Sequence, residues 1–582
     1  MRRWAWGAWG HGAEAEEQDA LLTAAKGGEY KDVLDRVTGE VLDGAGVAKA
    51  REEEMQYMRT LKVFEYATEE EAREATGRPP ISVDWVDTNK GDQERPVLRS
   101  RLVVQETRRT STLGPEDAAA IFAATPPLEA LRFVLSQAMT EQKADRQMER
   151  VIAFLDISRA HLHSPIRREV FVKACKEDRG CPEGHCWRLL KAMYGLRDAG
   201  ACFDKRVEDI MRELGYRVGK FSPCLYYHAK SGVVVFRHGD DFVVLGSRDC
   251  VKEFTAQLSE KLIVKLRGTL GPRKDLGDVS EIVVLNRIVR WCAVAGDQRE
   301  RIEIEADARH VAVLAQQLGL AANSKPAVTP GVKDDGVGGE ELDEARRAIF
   351  RSAAMRLAYL AQDRPEICFA SKEIARCMQA PDEAAWAALK RAVRFCLGAP
   401  RVVWKFIRQP PVSFIDVWSD SDHAGCRRTR RSTSCSVLMH GRHLLRASST
   451  TQTVIALSSG ESEFYAAVKS ISMALGAAEM GKDIGVTLKP RVKYDATAGA
   501  GIASRRGVGK VRHLHTPALW VQRFVQEGRV QLVKVPGDQN VADLGTKHLT
   551  KKTMWVLMSS MSVYAEGGRS ALALRASGEA EA

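Results

Sequence analysis

Two adjacent carboxylates lie between two apolar, β-branched runs in residues 233–246 (VVVFRHGDDFVVLG). Runs of this type on either side of Gly-Asp predict a β-hairpin. Asp240 and Asp241 would then lie at the hairpin tip, clear of the packed faces. Two acidic side chains repel each other at a tight turn, and a divalent metal ion is the usual way to offset that repulsion. An isolated Asp-Asp pair is more often a solvated turn, so the metal interpretation depends on a further ligand.

A third carboxylate, Asp156, interrupts an apolar, strand-like run just before that run breaks into a helix or turn. A lone Asp at the end of a strand is commonly a cap. Together with the hairpin pair, however, it supplies three carboxylates for two Mg²⁺ ions. One ion would activate an attacking 3′-hydroxyl and the other would stabilise a leaving pyrophosphate, which is phosphoryl transfer chemistry.

A second group of carboxylates follows later in the chain, in segments that read as strand end, helix, strand end and late helix. Its members are Asp420, Glu463, Asp495 and Asp543. Brought together, four such carboxylates would bind two metal ions for the hydrolysis of a phosphodiester. Asp422 and Glu461 lie two residues from chosen ligands and are the alternative assignments, although Glu461 would point away from Glu463 on a helix.

Length and composition favour a large, folded, basic protein. The chain has 582 residues, enough for roughly three to five domains, and its content of 45% hydrophobic and 28% charged residues is typical of globular protein. The net charge is +11, and the excess is uneven, because residues 1–79 carry −6 and residues 80–582 carry +17. A basic body of this size suits a polyanion such as nucleic acid, although charge alone does not exclude a merely soluble basic protein.

Cysteine usage and hydropathy exclude several classes. Twelve cysteines in so long a chain indicate a reducing compartment rather than a secreted disulfide framework. The group Cys175, Cys181, His185 and Cys186 does not have the spacing of paired zinc ligands, so zinc is not expected. No apolar run is long enough for a membrane helix, and the start of the chain is too broken by glycine for a signal peptide.

Several ordered motifs resemble the reverse transcriptase of Ty1/copia-type retrotransposons, in a divergent form. Residues 189–200 (LLKAMYGLRDAG) resemble the family pattern LKALYGLKQAP, and residues 238–241 (HGDD) resemble its YVDD hairpin. The resemblance covers about residues 40–550. It implies a multidomain α+β and α/β fold, with the fingers, palm and thumb of a right-hand polymerase followed by a helical connection and an RNase H-like mixed sheet.

The resemblance assigns roles to named residues. It makes Asp156, Asp240 and Asp241 the polymerase metal ligands, and residues 80–104 a hairpin of the fingers whose Arg99 and Arg101 bind the incoming triphosphate. A solvated strand face is an equal alternative for the two arginines. Further nucleotide or template contacts are assigned to His161, which would exclude a ribose 2′-hydroxyl, and to Gly195, which would let the backbone approach a ligand.

The same resemblance makes Asp420, Glu463, Asp495 and Asp543 the metal ligands of an RNase H site. His513 would assist departure of the product there, with a structural or solvated role equally open. The implied domains are a low-order leader (1–39), fingers and palm (40–265), thumb and connection (266–410), the RNase H-like domain (411–550) and a C-terminal tail (551–582).

The expected cofactors are two Mg²⁺ ions per site, with Mn²⁺ as an alternative. The expected partners are an RNA template, a DNA primer, the RNA–DNA hybrid, deoxynucleoside triphosphates and other retroelement proteins, with no membrane. The expected location is a cytoplasmic retroelement particle, and also the nucleus. Four departures from the family pattern, Asp198, Gly200, His238 and Gly239, keep an alternative open: a decayed or repurposed relative that binds nucleic acid without efficient polymerisation.

Overall fold

The structure is a computed structural model that describes residues 30–568 and residue 572. Residues 31–32, 37–38, 92–95, 115–116, 142–148, 294–298, 322, 334–338, 427, 510 and 515 are outside the described part, as is most of the predicted leader. The chain forms two units. The first comprises residues 1–125, 157–214 and 258–264, and the second comprises residues 126–156, 215–257 and 265–582.

Helices and short strands occur along the whole described chain. The α-helices are α1 (Gly44–Thr60), α2 (Glu69–Thr76), α3 (Ala118–Ile121), α4 (Leu128–Ala138), α5 (Ala199–Glu213), α6 (Arg248–Ser259), α7 (Arg309–Gln317), α8 (Glu344–Leu360), α9 (Cys368–Ala375), α10 (Glu383–Gly398), α11 (Ser459–Asp483), α12 (Thr497–Ser504), α13 (Trp520–Gln526) and α14 (Lys551–Ser560).

The strands are β1 (Phe64–Thr68), β2 (Val83–Asn89), β3 (Leu98–Val104), β4 (Arg150–Ile157), β5 (Phe171–Val172), β6 (His185–Leu189), β7 (Arg217–Val218), β8 (Leu225–Tyr227), β9 (Val234–His238), β10 (Asp241–Ser247), β11 (Val264–Leu270), β12 (Glu281–Val284), β13 (Arg287–Cys292), β14 (Arg301–Ala306), β15 (Arg401–Ile407), β16 (Phe414–Asp422), β17 (Thr433–His440), β18 (His443–Thr451), β19 (Lys489–Tyr494), β20 (Gln531–Lys534) and β21 (Val563–Glu566).

The first unit contains two small sheets. Strands β2 and β3 form the antiparallel hairpin that the sequence predicted for residues 80–104, and β1, β6 and β5 form a three-stranded sheet. A separate apolar core, which includes Met55, Trp85, Leu102 and Trp187, holds these elements together. The alternation of buried and exposed residues along β3 explains why this segment forms a half-buried strand.

The second unit contains the sheet that carries the Asp-Asp hairpin. Its strand order is β11-β4-β10-β9-β8-β7, and β10 lies between β4 and β9 with antiparallel pairing on both sides. Strands β4 and β10 are buried along most of their length, as expected for continuous apolar runs in the middle of a sheet. Helix α4 packs against β9 and β10, and its buried face extends the same core.

Two further sheets complete the second unit. One is antiparallel in the order β12-β13-β14-β15-β21, and the other is mixed in the order β18-β17-β16-β19-β20, with β16, β19 and β20 parallel. Helix α11, 25 residues long, covers the mixed sheet. A mixed sheet was expected in residues 411–550, whereas the antiparallel sheet was not expected in a helical connection.

The prediction of a tail from residue 551 is wrong for residues 551–566. Helix α14 begins at Lys551, and β21 pairs with β15, where Val402 lies opposite Ala565. Met558 and Val563 are buried in the core, and the burial of these apolar side chains favours the folding of this segment. In the part of the chain that the structure describes, no helix is long and apolar enough to cross a membrane.

Candidate active sites

The polymerase-like carboxylates form a row across the second unit's first sheet. Asp241 is the first residue of β10 and lies directly opposite Asp156 on β4 and His238 on β9. Directly opposed residues of antiparallel strands point to the same face, with Cβ atoms roughly 5 Å apart. Gly239 and Asp240 form the turn, and the positive φ of Gly239 (63°) suits glycine there. The hairpin is as the sequence predicted, and its register places Asp241 opposite Asp156.

This row has the electrostatics of a cation site. Burial raises the pKa of Asp241, and the charges of Asp240 and Asp156 raise it further. Arg267 on β11 opposes that shift, because its guanidinium lies 3.4 Å from the Asp241 carboxylate. Like charges placed directly opposite each other destabilise a sheet, so a metal ion would relieve the same repulsion.

The arginines of the β3 hairpin lie on one face of their strand in the first unit. Arg99 is exposed, and the Arg101 guanidinium lies over the ring of Tyr194, 4.8 Å from its centroid. The ring of His161 lies 5.0 Å from that of Tyr194. Tyr194 therefore lies against both Arg101 and His161, to which the resemblance had assigned separate roles. Sequence reasoning had quoted Tyr194 within its motif without giving it a role.

Gly195 packs closely against strand β3. Gly195 has a φ of +86°, and a Cβ atom there would lie 2.0 Å from the backbone oxygen of Val104. The backbone N–H of Val104 donates to the carbonyl of Tyr194 at 2.8 Å. Strand β3 of the chain itself therefore occupies the space beside Gly195, and this close packing requires a glycine.

Two departures from the family pattern have structural partners. Asp198 forms a bidentate ion pair with Arg168, at 2.8 and 3.0 Å, and Arg168 also binds Glu106. A Cβ atom on Gly200 would lie 3.0 Å from the side chain of Ala123. Both residues therefore fit their immediate surroundings in the first unit.

The second group of carboxylates converges more closely. Asp420 lies on β16, Asp495 directly follows the parallel neighbour β19, and Asp543 lies in a 3₁₀ helix (Val541–Gly545). Each offers an oxygen, and the three oxygens lie within 4.8 Å of one another. Among the residues that the structure describes, this is the one cluster of His, Cys, Asp or Glu side chains that meets that spacing.

Glu463 belongs to the same electrostatic group. It lies near the start of α11, and burial raises its pKa to about 8, with further contributions from Asp420 and Asp495. Burial likewise raises the pKa of Asp420 to about 7, against the opposing charge of Lys547. Burial and the neighbouring carboxylates together outweigh the positive charge of Lys547 at both groups. Carboxylate oxygens are the ligands that Mg²⁺ prefers, so the residues fit that ion.

Thr546 and Lys547 complete this cluster, and the sequence reasoning did not single them out. The Thr546 hydroxyl donates to the Asp420 carboxylate. The Lys547 ammonium lies 2.7 Å from Asp543 and 3.7 Å from Asp420. The spacing of four residues between Asp543 and Lys547 is the signal that could have found the pair.

The alternative ligands are engaged elsewhere. Asp422 accepts the backbone N–H of Thr433. Glu461 accepts the N–H of Leu457 at 2.8 Å, and its carboxylate lies 2.8 Å from Nε2 of His513. These contacts favour Glu463 over Glu461 as the ligand. The half-exposed His513 contacts Glu461, which lies in the same turn of α11 as Glu463.

Comparison with known proteins finds a family match for the region that contains Asp156, Asp240 and Asp241. Residues 70–284 match the family described as "Reverse transcriptase (RNA-dependent DNA polymerase)". The chain is 23% identical over 521 residues to the retrovirus-related Pol polyprotein from transposon TNT 1-94 of Nicotiana tabacum, covering 86% of this chain and 36% of that protein. It is 24% identical over 488 residues to the corresponding polyprotein from transposon RE2 of Arabidopsis thaliana, covering 81% and 32% respectively.

Among solved structures, the fold is similar to that of a foamy viral protease-reverse transcriptase in complex with an RNA/DNA hybrid. The TM-score is 0.45 and the identity 10%, and the match covers 84% of this chain and 54% of that one. The chain spans about a third of the length of the curated relatives it matches.

Residues 70–284, which match the reverse transcriptase family model, contain Asp156, Asp240 and Asp241 and lie within a mixed α/β chain of two units. Over most of its length, the chain is similar, at 23–24% identity, to retrovirus-related Pol polyproteins from plant transposons.

Proposed function

We propose that the chain copies RNA into DNA at the Asp156–Asp240–Asp241 site. The observation that carries this proposal is the placement of Asp241 directly opposite Asp156, beside the Asp240 turn, within the reverse transcriptase region. Backbone pairing sets this register, so the three carboxylates are presented together before any ligand binds.

The residues of this site would hold two Mg²⁺ ions, with Mn²⁺ as the alternative. When bound, the ions supply activation of the primer 3′-hydroxyl and neutralisation of the leaving pyrophosphate. Asp156 and Asp241 would provide the facing oxygens, and Asp240 would add its carboxylate from the turn. Arg99 and Arg101 would bind the triphosphate of the incoming nucleotide, and His161 would exclude a ribose 2′-hydroxyl.

We further propose that the second cluster is an RNase H site that cleaves the RNA of an RNA–DNA hybrid. Its ligands would be Asp420, Glu463, Asp495 and Asp543, and two bound Mg²⁺ ions would supply an activated water and charge neutralisation. The closeness of three of these oxygens and the raised pKa values of Asp420 and Glu463 support this assignment. His513 would act as an accessory group for product departure from beside Glu461.

The proposed partners follow from this chemistry. They are an RNA template, a DNA primer, their hybrid and deoxynucleoside triphosphates, together with other proteins of a retroelement particle in the cytoplasm or nucleus. The charge of +17 on residues 80–582 supports a polyanionic partner, and binding should weaken steeply with salt.

The decisive experiment is primer extension on an RNA template with deoxynucleotides and Mg²⁺, using the wild-type chain and Asp240→Asn. We expect the variant to lose extension by about 10²-fold or more, because a metal ligand is removed. Asp275→Asn is the matched control, since Asp275 is exposed and pairs only with the nearby Arg273 among the ion pairs of the described residues. Equal extension by Asp240→Asn and wild type would contradict the palm assignment. Wild-type binding of the hybrid without extension would instead identify a nucleic-acid-binding relative that does not polymerise.

A further inference from the structure

Asp483, the last residue of α11, binds a loop of the polymerase sheet within the second unit. Its carboxylate accepts the backbone N–H groups of Lys220, Phe221 and Ser222, at 2.7, 3.0 and 2.8 Å. These three residues lie between β7 and β8, and Asp483 is itself buried. The contact joins segments more than 260 residues apart in the sequence.

The residues around Asp483 at the end of α11 pack closely against this loop. A Cβ atom on Gly219 would lie 2.7 Å from the Asp483 carboxylate, and one on Gly476 would lie 3.0 Å from the ring of Phe221. The guanidinium of Arg217 donates to the carbonyl of Lys482 at 2.9 Å. Glycine at the two positions of closest approach allows the helix end and the loop to pack without space between them.

Helix stability does not explain an acidic residue at this position. The C-terminal end of a helix carries a partial negative charge, so a carboxylate there is electrostatically unfavourable. Three charge-assisted hydrogen bonds from the loop offset that cost. Without Asp483, three backbone N–H groups in a confined loop would lose their acceptor. Asp483 therefore stabilises the loop rather than its own helix.

The loop continues directly to the catalytic hairpin. The N–H of Leu225 donates to the Ser222 carbonyl, and the N–H of Arg237 donates to the Cys224 carbonyl, both at 2.9 Å. The Arg237 side chain is buried and donates to the carbonyl of Gly239 at 3.2 Å. Gly239 immediately precedes Asp240, so hydrogen bonds joined by short covalent steps connect Asp483 to the turn.

We propose that Asp483 is a positioning residue for DNA synthesis: the C-terminal end of α11 holds the β7–β8 loop, and that loop fixes the hairpin that presents Asp240 and Asp241. This inference rests on the proposed polymerase function of that hairpin. Glu463 lies near the other end of α11, so one helix would contribute a carboxylate to the nuclease site and support for the polymerase site. The C-terminal region would then be required for efficient polymerisation even when its own carboxylates are inactivated.

The test compares Asp483→Asn with Glu479→Gln in the full chain. Glu479 lies one helical turn earlier, is half-exposed and pairs with Lys482, so its change controls for loss of one charge on the same helix. In either orientation of the amide that replaces the Asp483 carboxylate, at least one loop N–H would face an NH₂ donor. We expect kcat for primer extension to fall about tenfold in Asp483→Asn, with little change in KM for the nucleotide, because misplaced catalytic groups slow the chemical step.

Two further measurements separate positioning from general instability. Cleavage of a hybrid by Asp483→Asn should remain close to wild type, and Asp483→Glu, which retains the carboxylate, should recover part of the lost kcat. Equal loss of both activities together with a lowered melting temperature would overturn the proposal and identify a purely structural residue. Unchanged extension by Asp483→Asn would overturn it as well.

Hydrogen exchange gives a readout that is independent of polymerisation. The amides of Lys220, Phe221 and Ser222 should be protected in wild type, and this protection should fall in Asp483→Asn but not in Glu479→Gln. Unaltered protection would overturn the anchoring role whatever the activity. If the wild-type chain does not extend primers but Asp483→Asn still loses this protection, the proposed polymerase function is wrong and the anchoring role of Asp483 stands.

Discussion

The two carboxylate sites of this chain are built in different ways. At the polymerase-like site, Asp156 and Asp241 are brought together by strand pairing alone, and Asp241 remains partly exposed, with 27% of its side chain accessible. At the nuclease-like site, a strand, a helix, a strand end and a 3₁₀ helix each supply one carboxylate, and Asp420 is only 2% exposed. The first site depends on backbone register, and the second depends on tertiary packing.

This difference decides how each site manages its negative charge. At the partly exposed site, Arg267 lies at the edge of the row and opposes the rise in the pKa of Asp241 that burial and the neighbouring carboxylates cause. At the second site, Asp420 and Glu463 are buried, and burial raises the pKa of Asp420 to about 7 and that of Glu463 to about 8. A buried site of this kind should respond strongly to metal and to pH, whereas the partly exposed site should respond less.

The largest expected effect is a separation of the two activities. Asp495→Asn should reduce cleavage of RNA in a hybrid by about 10²-fold or more, because it removes one of three converging ligand oxygens. DNA synthesis should remain close to wild type, since the polymerase carboxylates belong to a different sheet. Parallel assays of hybrid cleavage and primer extension on the same preparation measure this.

The control for this separation is Glu527→Gln, which changes an exposed acid paired with Arg523 at the end of α13. It should leave both activities unchanged. If Asp495→Asn reduced both activities equally, the two sites would not be independent, and the comparison drawn above would fail.

A smaller effect is expected from pH in the absence of metal. Asp420 and Glu463 have raised pKa values in the folded protein, so between about pH 4.5 and pH 8 the folded state binds more protons than the unfolded state. The stabilisation is complete below the unfolded pKa values and is lost as the pH rises through the folded ones. The free energy of unfolding in EDTA should therefore fall on going from pH 5.5 to pH 8, by on the order of 2 kcal/mol.

Urea unfolding at the two pH values, with and without Mg²⁺, measures this dependence. Mg²⁺ should reverse the loss at pH 8, because metal binding favours the deprotonated carboxylates. Glu463→Gln should flatten the curve in EDTA. A stability that rose between pH 5.5 and pH 8 in both wild type and Glu463→Gln would refute the assignment of raised pKa values to this cluster.

The smallest expected effect concerns Lys547, whose ammonium lies between Asp420 and Asp543. Lys547→Met should lower the free energy of unfolding in EDTA by roughly 0.5 kcal/mol, a modest value because the lysine is half-exposed. In saturating Mg²⁺ the difference should shrink, since the ion would offset the same repulsion. Thermal unfolding in the two conditions measures it, with Lys551→Met, exposed at the start of α14, as the control. A variant more stable than wild type in EDTA would contradict the role of the ammonium.

Much of the local structure could be predicted from the sequence. The hairpin over residues 233–246 formed as expected because two β-branched runs flank Gly239 and Asp240, and the β2–β3 hairpin formed for the same kind of reason. Periodicity and turn chemistry act over a few residues, and a single sequence displays them directly.

The contributions that the sequence did not reveal come from distant segments. Nothing near Asp483 indicates that its carboxylate meets Lys220, and nothing near β21 indicates that it pairs with β15. Gly195 was expected to face a ligand because its freedom of φ is visible in sequence, whereas the Val104 backbone that fills the space beside it is not. Local sequence patterns indicate which conformation or chemistry a residue can adopt, but they do not show which distant residues will contact it.

The sequence by itself determined which side chains can do the chemistry: seven carboxylates in two groups, on segments with strand, helix or turn character, within a basic chain. Only the tertiary structure decided how those carboxylates are held and what offsets their charge. Arg267, Thr546, Lys547 and Asp483 act through contacts between segments far apart in the chain. Residue type is encoded position by position, but distance, burial and the resulting electrostatic field arise only when those segments pack together.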